Sequence, residues 1–246
     1  MDADHERKAL IEQLRQRADP KRATGEKAYL KSPQQFHGVH MPGLRTISKA
    51  WHKSHKNEPI AAIAQVSEIL WDSDWHEERS LAILILEHRQ KDLTRQQMPL
   101  IEKMIHEAVG WAHLDAIATG LVGALIDTDA TVLDDLPRWA KSENFWVRRA
   151  AGLAQIKQFR RGEGDFDLFT QIAAPMFNEG KDWGKEERFF IRKAIGWTLR
   201  ELAPRQPGWV VNFVQRYRHD MAGLTYREAT RKLPAEYQQQ LSEGAN

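Results

Sequence analysis

The chain has no cysteine among its 246 residues. That excludes disulfides, thiolate metal sites and redox chemistry by protein thiols. Long apolar runs are missing as well. The longest, such as Leu81 to Leu86, falls far short of the roughly 18 residues a helix needs to cross a bilayer, and the N-terminus shows no signal-peptide apolar segment. A soluble, cytoplasmic protein is expected. No stretch alternates apolar and polar residues between hairpin turns, so no strands are expected. Without strands, Gly162-Glu163-Gly164 reads as a loop and not a phosphate cradle, and the strand-to-helix elbow of a serine nucleophile is missing. His52 with His55, and His106 with His113, lack a convincing third ligand; neither a metal site nor a cofactor is expected.

What is present is charge, unevenly spread. The net charge is only +2. Residues 1–135 carry 17 Lys+Arg against 21 Asp+Glu, whereas residues 136–234 carry 19 against 11 and the last twelve residues add −2. The second half is therefore where a polyanionic partner is expected.

Apolar residues recur at helical spacing almost throughout. His5 to Arg17 reads as an amphipathic helix ending before Asp19-Pro20. The breakers from Gly25 to Gly43 read as a surface turn holding Tyr29, with helix resuming near Leu44. Five segments then align, beginning at Arg79, Asp115, Arg149, Lys193 and Glu228, at intervals of 36, 34, 44 and 35 residues. This period belongs to solenoids built from helix pairs. An aromatic precedes four of these by four residues: Trp75, Trp111, Phe145 and Phe189. The longer interval holds two loops, Arg160 to Gly164 and Asn178 to Gly184. The expected fold is all-α, a superhelical stack of HEAT-like antiparallel helix pairs with a concave basic surface. It forms a single domain over 1–246, with N-terminal helices to about residue 60, repeats over 61–235 and a short polar tail. Aligned charges would line one wall, with Ala116, Ala150, Ala151, Ala194 and Ala229 packing closely behind it.

Four stretches carry a resemblance. They are Ala28-Tyr29-Leu30-Lys31 with Phe36-His37-Gly38; Trp111-Ala112-His113-Leu114-Asp115; Asn144-Phe145-Trp146-Val147-Arg148-Arg149-Ala150; and Phe189 through Glu201. In this order and spacing the chain resembles the AlkD type of alkylpurine DNA glycosylase, from about residue 10 to 235. The resemblance implies a DNA repair glycosylase that releases positively charged N3- and N7-alkylated purines from duplex DNA. It implies Asp115, Trp111 and Trp197 as catalytic residues. Tyr29 and Arg149 are implied as DNA contacts near the lesion, and Arg148 and Lys193 join Arg149 as candidates for holding phosphates. The chain departs from the family pattern at Gly110, where a second aromatic is usual, and at Ala112, where a polar residue is usual.

The chemistry is consistent with one carboxylate. Cleaving an N-glycosidic bond builds positive charge on the sugar, which a carboxylate such as Asp115 stabilises while orienting water. No second acid stands among the matched positions to protonate the leaving group. A cationic alkylpurine leaves as a neutral base and does not need one. Trp111 and Trp197 would lie against the cationic nucleotide. Each residue also has a plainer role open to it: Arg149 could simply pair with Asp115, and Tyr29 could be a packing anchor. Trp71, Trp75, Trp139, Trp146 and Trp209 read as structural. The expected partner is double-stranded DNA with alkylated bases, bound by a monomer with no obligate protein partner and no membrane. The alternatives are a noncatalytic paralogue that binds unusual DNA structures and a protein-binding scaffold.

Overall fold

A computed structural model describes residues 1–180 and 182–243. Among them there are helices and no strands; one isolated bridge joins Gln35 to Trp75. None of the helices is long and apolar enough to cross a membrane. The chain divides into two compact units, 1–129 and 130–246.

The first unit contains α1 (Ala3–Arg15), α2 (Pro20–Leu30), α3 (Met41–Ser54), α4 (Ile60–Trp71), α5 (His76–Glu87), α6 (Met98–Glu107), α7 (Trp111–Ala116) and α8 (Gly123–Thr128). A π-helical turn, Ile117–Val122, joins α7 to α8 in one continuous helix. Helix α4 packs on both α1 and α5, and α3 packs on α5. Their core is formed by side chains at helical spacing, such as Leu10 and Leu14 of α1, Ile63 and Leu70 of α4, and Leu81 and Ile85 of α5.

The second unit contains α9 (Leu136–Ala140), α10 (Phe145–Leu153), α11 (Ile156–Phe159), α12 (Phe166–Glu179), α13 (Lys185–Leu202), α14 (Pro207–Tyr217), α15 (Gly223–Thr230) and α16 (Ala235–Glu243). Helix α13 packs against both α10 and α15. Ala150, Ala151, Ala194 and Ala229 are all buried there, as their spacing predicts. Thr198 donates to the carbonyl of Gly152 at 2.7 Å, and Thr225 to that of Arg192 at 3.2 Å, so these helices are pinned through backbone as well as apolar contact.

Three local expectations need correcting. Tyr29 is not in a turn: Asp19 caps α2 by accepting from the amides of Lys21 and Arg22, and Pro20 sits at its first position. Helix α2 buries no residue, so it leaves no apolar period to detect. The polar tail forms helix α16 as far as Glu243, seated on α14 with Leu241 buried. The last turn of α12 takes in Asn178 and Glu179, which leaves the second expected loop to begin at Gly180. Lys181, within that loop, and residues 244–246 of the tail lie outside the described residues.

The repeat register also shifts by one in its first unit. Helices α5, α7 and α10 are capped by Trp75, Gly110 and Asn144. Counted from these caps, Asp115 and Arg149 match Ser80, and Arg79 matches Arg148. Contacts support this count. Arg79 Nε donates to the carbonyl of Ser73, six residues back, and Arg148 Nε does the same to Ser142. Each guanidinium lies 4.8 Å from a tryptophan ring centre, Trp71 and Trp183 respectively.

Candidate active site

Trp111 is the first residue of α7 and Asp115 stands four residues on, so both side chains share one face of the helix. Both are half-buried. The edge of the Tyr29 ring meets Trp111 with ring centres 6.2 Å apart and planes at 87°. Tyr29 itself is 74% exposed at the end of α2, so Trp111 is its packing partner and the rest of the ring faces solvent. A shallow depression bounded by Leu30, Gln34, His76, Gly110 and Trp111 lies beside the pair.

Behind Trp111 stands a column of stacked rings. His113, two residues along α7, is 4% exposed and stacks on His76 at 4.2 Å; His76 stacks on Phe36 at 4.7 Å. Ser80 Oγ donates to the carbonyl of His76 at 2.9 Å, and His113 Nε2 approaches that carbonyl and Ser80 Oγ, both at 3.0 Å. A carbonyl can only accept, so the hydrogen of His113 is on Nε2. Burial pushes the His76 imidazole down to about 4 and that of His113 well below its usual value. Both rings are therefore neutral near pH 7 and can stack without repulsion.

The loop carrying Phe36-His37-Gly38 is held by a residue that the matched sequence segments do not include. Glu77, only 1% exposed, accepts from the backbone N–H of His37, Gly38 and Val39 at 2.9, 2.6 and 3.0 Å. Its neighbour Glu78 accepts from His37 Nε2 at 3.3 Å, and His37 stacks on Trp75 at 4.0 Å. Burial raises the Glu78 carboxyl, but His37, Ser73 and Arg7 outweigh it and hold it below its usual value. Gly38 has φ 82°, and a Cβ there would lie 2.0 Å from the carbonyl of Asp19, so only glycine lets this loop close on the start of α2. The one available signal for Glu77 was a pair of adjacent acids in the first turn of α5, a pattern that ordinarily answers only to the helix dipole.

The π-turn follows Asp115 directly, and Thr119 Oγ1 donates to the Asp115 carbonyl at 2.7 Å. Such turns concentrate at functional sites. They also shift the phase of the following residues, so the periodic pattern does not carry past Asp115 unchanged.

The remaining candidates lie in the second unit. Trp197 is half-buried on α13, between the packed residues Gly196 and Thr198. Lys193 is exposed, its ammonium 5.6 Å from the centre of the Phe189 ring. Arg148 is half-buried over Trp183. Arg149 is only 2% exposed; it donates to the carbonyl of Phe190 and lies 5.6 Å from that ring. In this position it ties α10 to α13. Trp71 and Trp139 are fully buried, as expected of structural residues, while Trp209 stacks on Phe213.

The comparisons with known proteins agree with this architecture. A predicted DNA alkylation repair enzyme from Enterococcus faecalis has the same fold, with a TM-score of 0.73 and 23% identity over 89% of this chain and 98% of that one. AlkD2 from Streptococcus mutans matches with a TM-score of 0.55 and 16% identity over 80% of this chain and 92% of its own. No curated protein matches the sequence. The family model described as DNA alkylation repair enzyme matches residues 10–233, nearly the whole chain, and the chain belongs to that family.

Proposed function

We propose that the protein is a DNA glycosylase that hydrolyses the N-glycosidic bond of positively charged N3- and N7-alkylated purines in duplex DNA. The observation that carries this reading is the pairing of Trp111 and Asp115 on one partly exposed helix face, with the Tyr29 ring packed against the tryptophan. Asp115 stabilises the oxocarbenium-like sugar and orients the attacking water. The ring face of Trp111 contributes about 0.5–2 kcal/mol of cation–π attraction to the charged nucleotide. Family resemblance assigns Trp197 the same task. The departing base is already cationic, so it leaves neutral without a general acid. Because Trp111 stands beside a shallow depression and not a deep cavity, the damaged base is met at the surface and is not drawn into a pocket as in most base-flipping enzymes.

Tyr29, Arg148 and Lys193 contact the DNA, and Arg149 ties together α10 and α13, which carry Arg148 and Lys193. The chain acts as a single-domain monomer in the cytoplasm, on the nucleoid, without a cofactor. The test is release of 7-methylguanine and 3-methyladenine from methylated duplex DNA. Wild type releases them and Asp115→Asn falls by about 100-fold or more. Equal release by both would sink the assignment of Asp115, and none by either would favour a noncatalytic member that binds DNA structures.

A further inference from the structure

An open groove of about 520 Å³ lies in the first unit, among Arg45, Ser48 and Lys49 of α3, Glu87 and His88 around the end of α5, and Gly120 of the π-turn. Arg45, Lys49 and His52 follow at intervals of four and three residues, so they share one face of α3, opposite the buried Leu44, Ile47 and Trp51. Arg45 and Lys49 are exposed, and among the described residues neither forms an ion pair. His52 stacks on His88 with ring centres 5.0 Å apart, and its buried Nδ1 has no hydrogen-bond partner among them.

The groove gathers positive charge. Burial, then the positive charges of His52, Lys49 and Arg45, push the His88 imidazole below its usual value. Ser48 Oγ stands 3.1 Å from His88 Nε2. The one acid facing the groove is Glu87, whose carboxyl burial raises although Arg45 pulls the other way. A Cβ on Gly120 would lie 2.9 Å from Glu87 Oε1, so glycine there admits the carboxyl against the π-turn. None of these residues belongs to the Trp111–Asp115 site.

We infer that this groove is a phosphate-binding subsite, with Arg45 and Lys49 as its cationic wall and His88 beside them, and that it holds a backbone phosphate of DNA. The choice of DNA over a free anion rests on the DNA-handling reading above. A bound phosphate offsets the positive charges that act on His88 beside its burial, so binding favours a proton on the imidazole.

The test uses the full chain and undamaged duplexes of unrelated sequence. Duplex affinity is followed across salt concentration for wild type, Arg45→Gln/Lys49→Gln and the charge-preserving Arg45→Lys/Lys49→Arg. The Gln pair is expected to weaken every duplex alike and to flatten the log–log salt slope by about two, while the charge-preserving pair keeps the slope. Inorganic phosphate is expected to move the His88 imidazole resonances of wild type but not those of the Gln pair. An unchanged slope overturns the inference. A His88 response to inorganic phosphate with no change in slope overturns the assignment to DNA in favour of a small anion. A slope lost equally in both double variants overturns the charge argument. Undamaged DNA has no base to release, so failure here leaves the glycosylase reading standing, and a chain that releases nothing can still pass.

Discussion

The two units spend their positive charge differently. The second has the large excess of Lys and Arg, yet many of its cations are already engaged. Arg160 and Lys232 pair with Glu201, Arg200 pairs with Glu228, Arg161 pairs with Glu163, and Arg148 and Arg149 hold backbone carbonyls. The first unit is acidic on balance but presents Arg45 and Lys49 to solvent beside one another with no ion pair among the described residues. Net charge over a stretch of sequence therefore does not say which cations the fold leaves without an ion pair. The same contrast holds at equivalent helix positions. Ser80 and Arg149, five residues after their caps, bond inside their units, whereas Asp115 at the same place stays half-exposed.

The largest expected effect attacks this contrast at Arg149. Arg149→Met removes the donor to the Phe190 carbonyl inside the second unit and is expected to cost about 1–3 kcal/mol in urea denaturation. Normal stability together with lost DNA binding would break the comparison and return Arg149 to the interface. Next in size is the pH dependence of the first unit. His76 titrates near 4 when folded and near 6.5 when unfolded, so below pH 6.5 the unfolded chain binds the extra proton. Folding stability is level above about pH 6.5 and falls as pH drops towards 4. Carboxylates held low, such as Glu78, begin to lose their contribution only below about 4.5. His113 and His88 are also held below their usual values and add to this segment, so His76→Gln should reduce its slope in a urea-melt series without abolishing it, and an unchanged slope would place its origin elsewhere.

A smaller effect is expected at Lys193, an exposed cation of the second unit. Lys193→Gln should lower the salt slope of duplex binding by about one and leave melting unchanged. If Lys193→Gln and the α3 pair together changed the slope by less than either alone, they would not be contacting separate phosphates. Smallest is Gly25→Ala. Gly25 lies inside α2 with nothing within 4 Å of an added Cβ, so the substitution should stabilise by about 0.5–1 kcal/mol. A melting temperature that falls would show that α2 needs its flexibility where it presents Tyr29.

Much of the fold was legible because burial imposes periodicity. Leu81 and Ile85 recur at helical spacing, and Ala150 and Ala194 at the interval of the repeat, since each must face a neighbouring helix, and this revealed the helices and their repeat. Where burial is absent the signal vanishes: α2 buries nothing, and only its Asp19-Pro20 start marks it. Within the site, Trp111 and Asp115 are four residues apart on one short helix, so local geometry alone puts them on one face. Glu77 was not legible, because its bonds go to a loop some forty residues earlier in the chain.

The sequence by itself determined an all-helical chain of repeated units, membership of the DNA alkylation repair family, and one aromatic–carboxylate pair suited to a cationic substrate. Tertiary structure decided the placing of these charges: Arg149 turned inward onto a carbonyl, Arg79 and Arg148 set on matching turns, His76 and His113 kept neutral beneath Trp111, and Arg45 with Lys49 left facing an open groove. The physical reason is that apolar burial repeats with the helix and can be read along the chain. The partner that neutralises a charge, or the neighbours that strip its water, come from residues remote in sequence that only folding brings near.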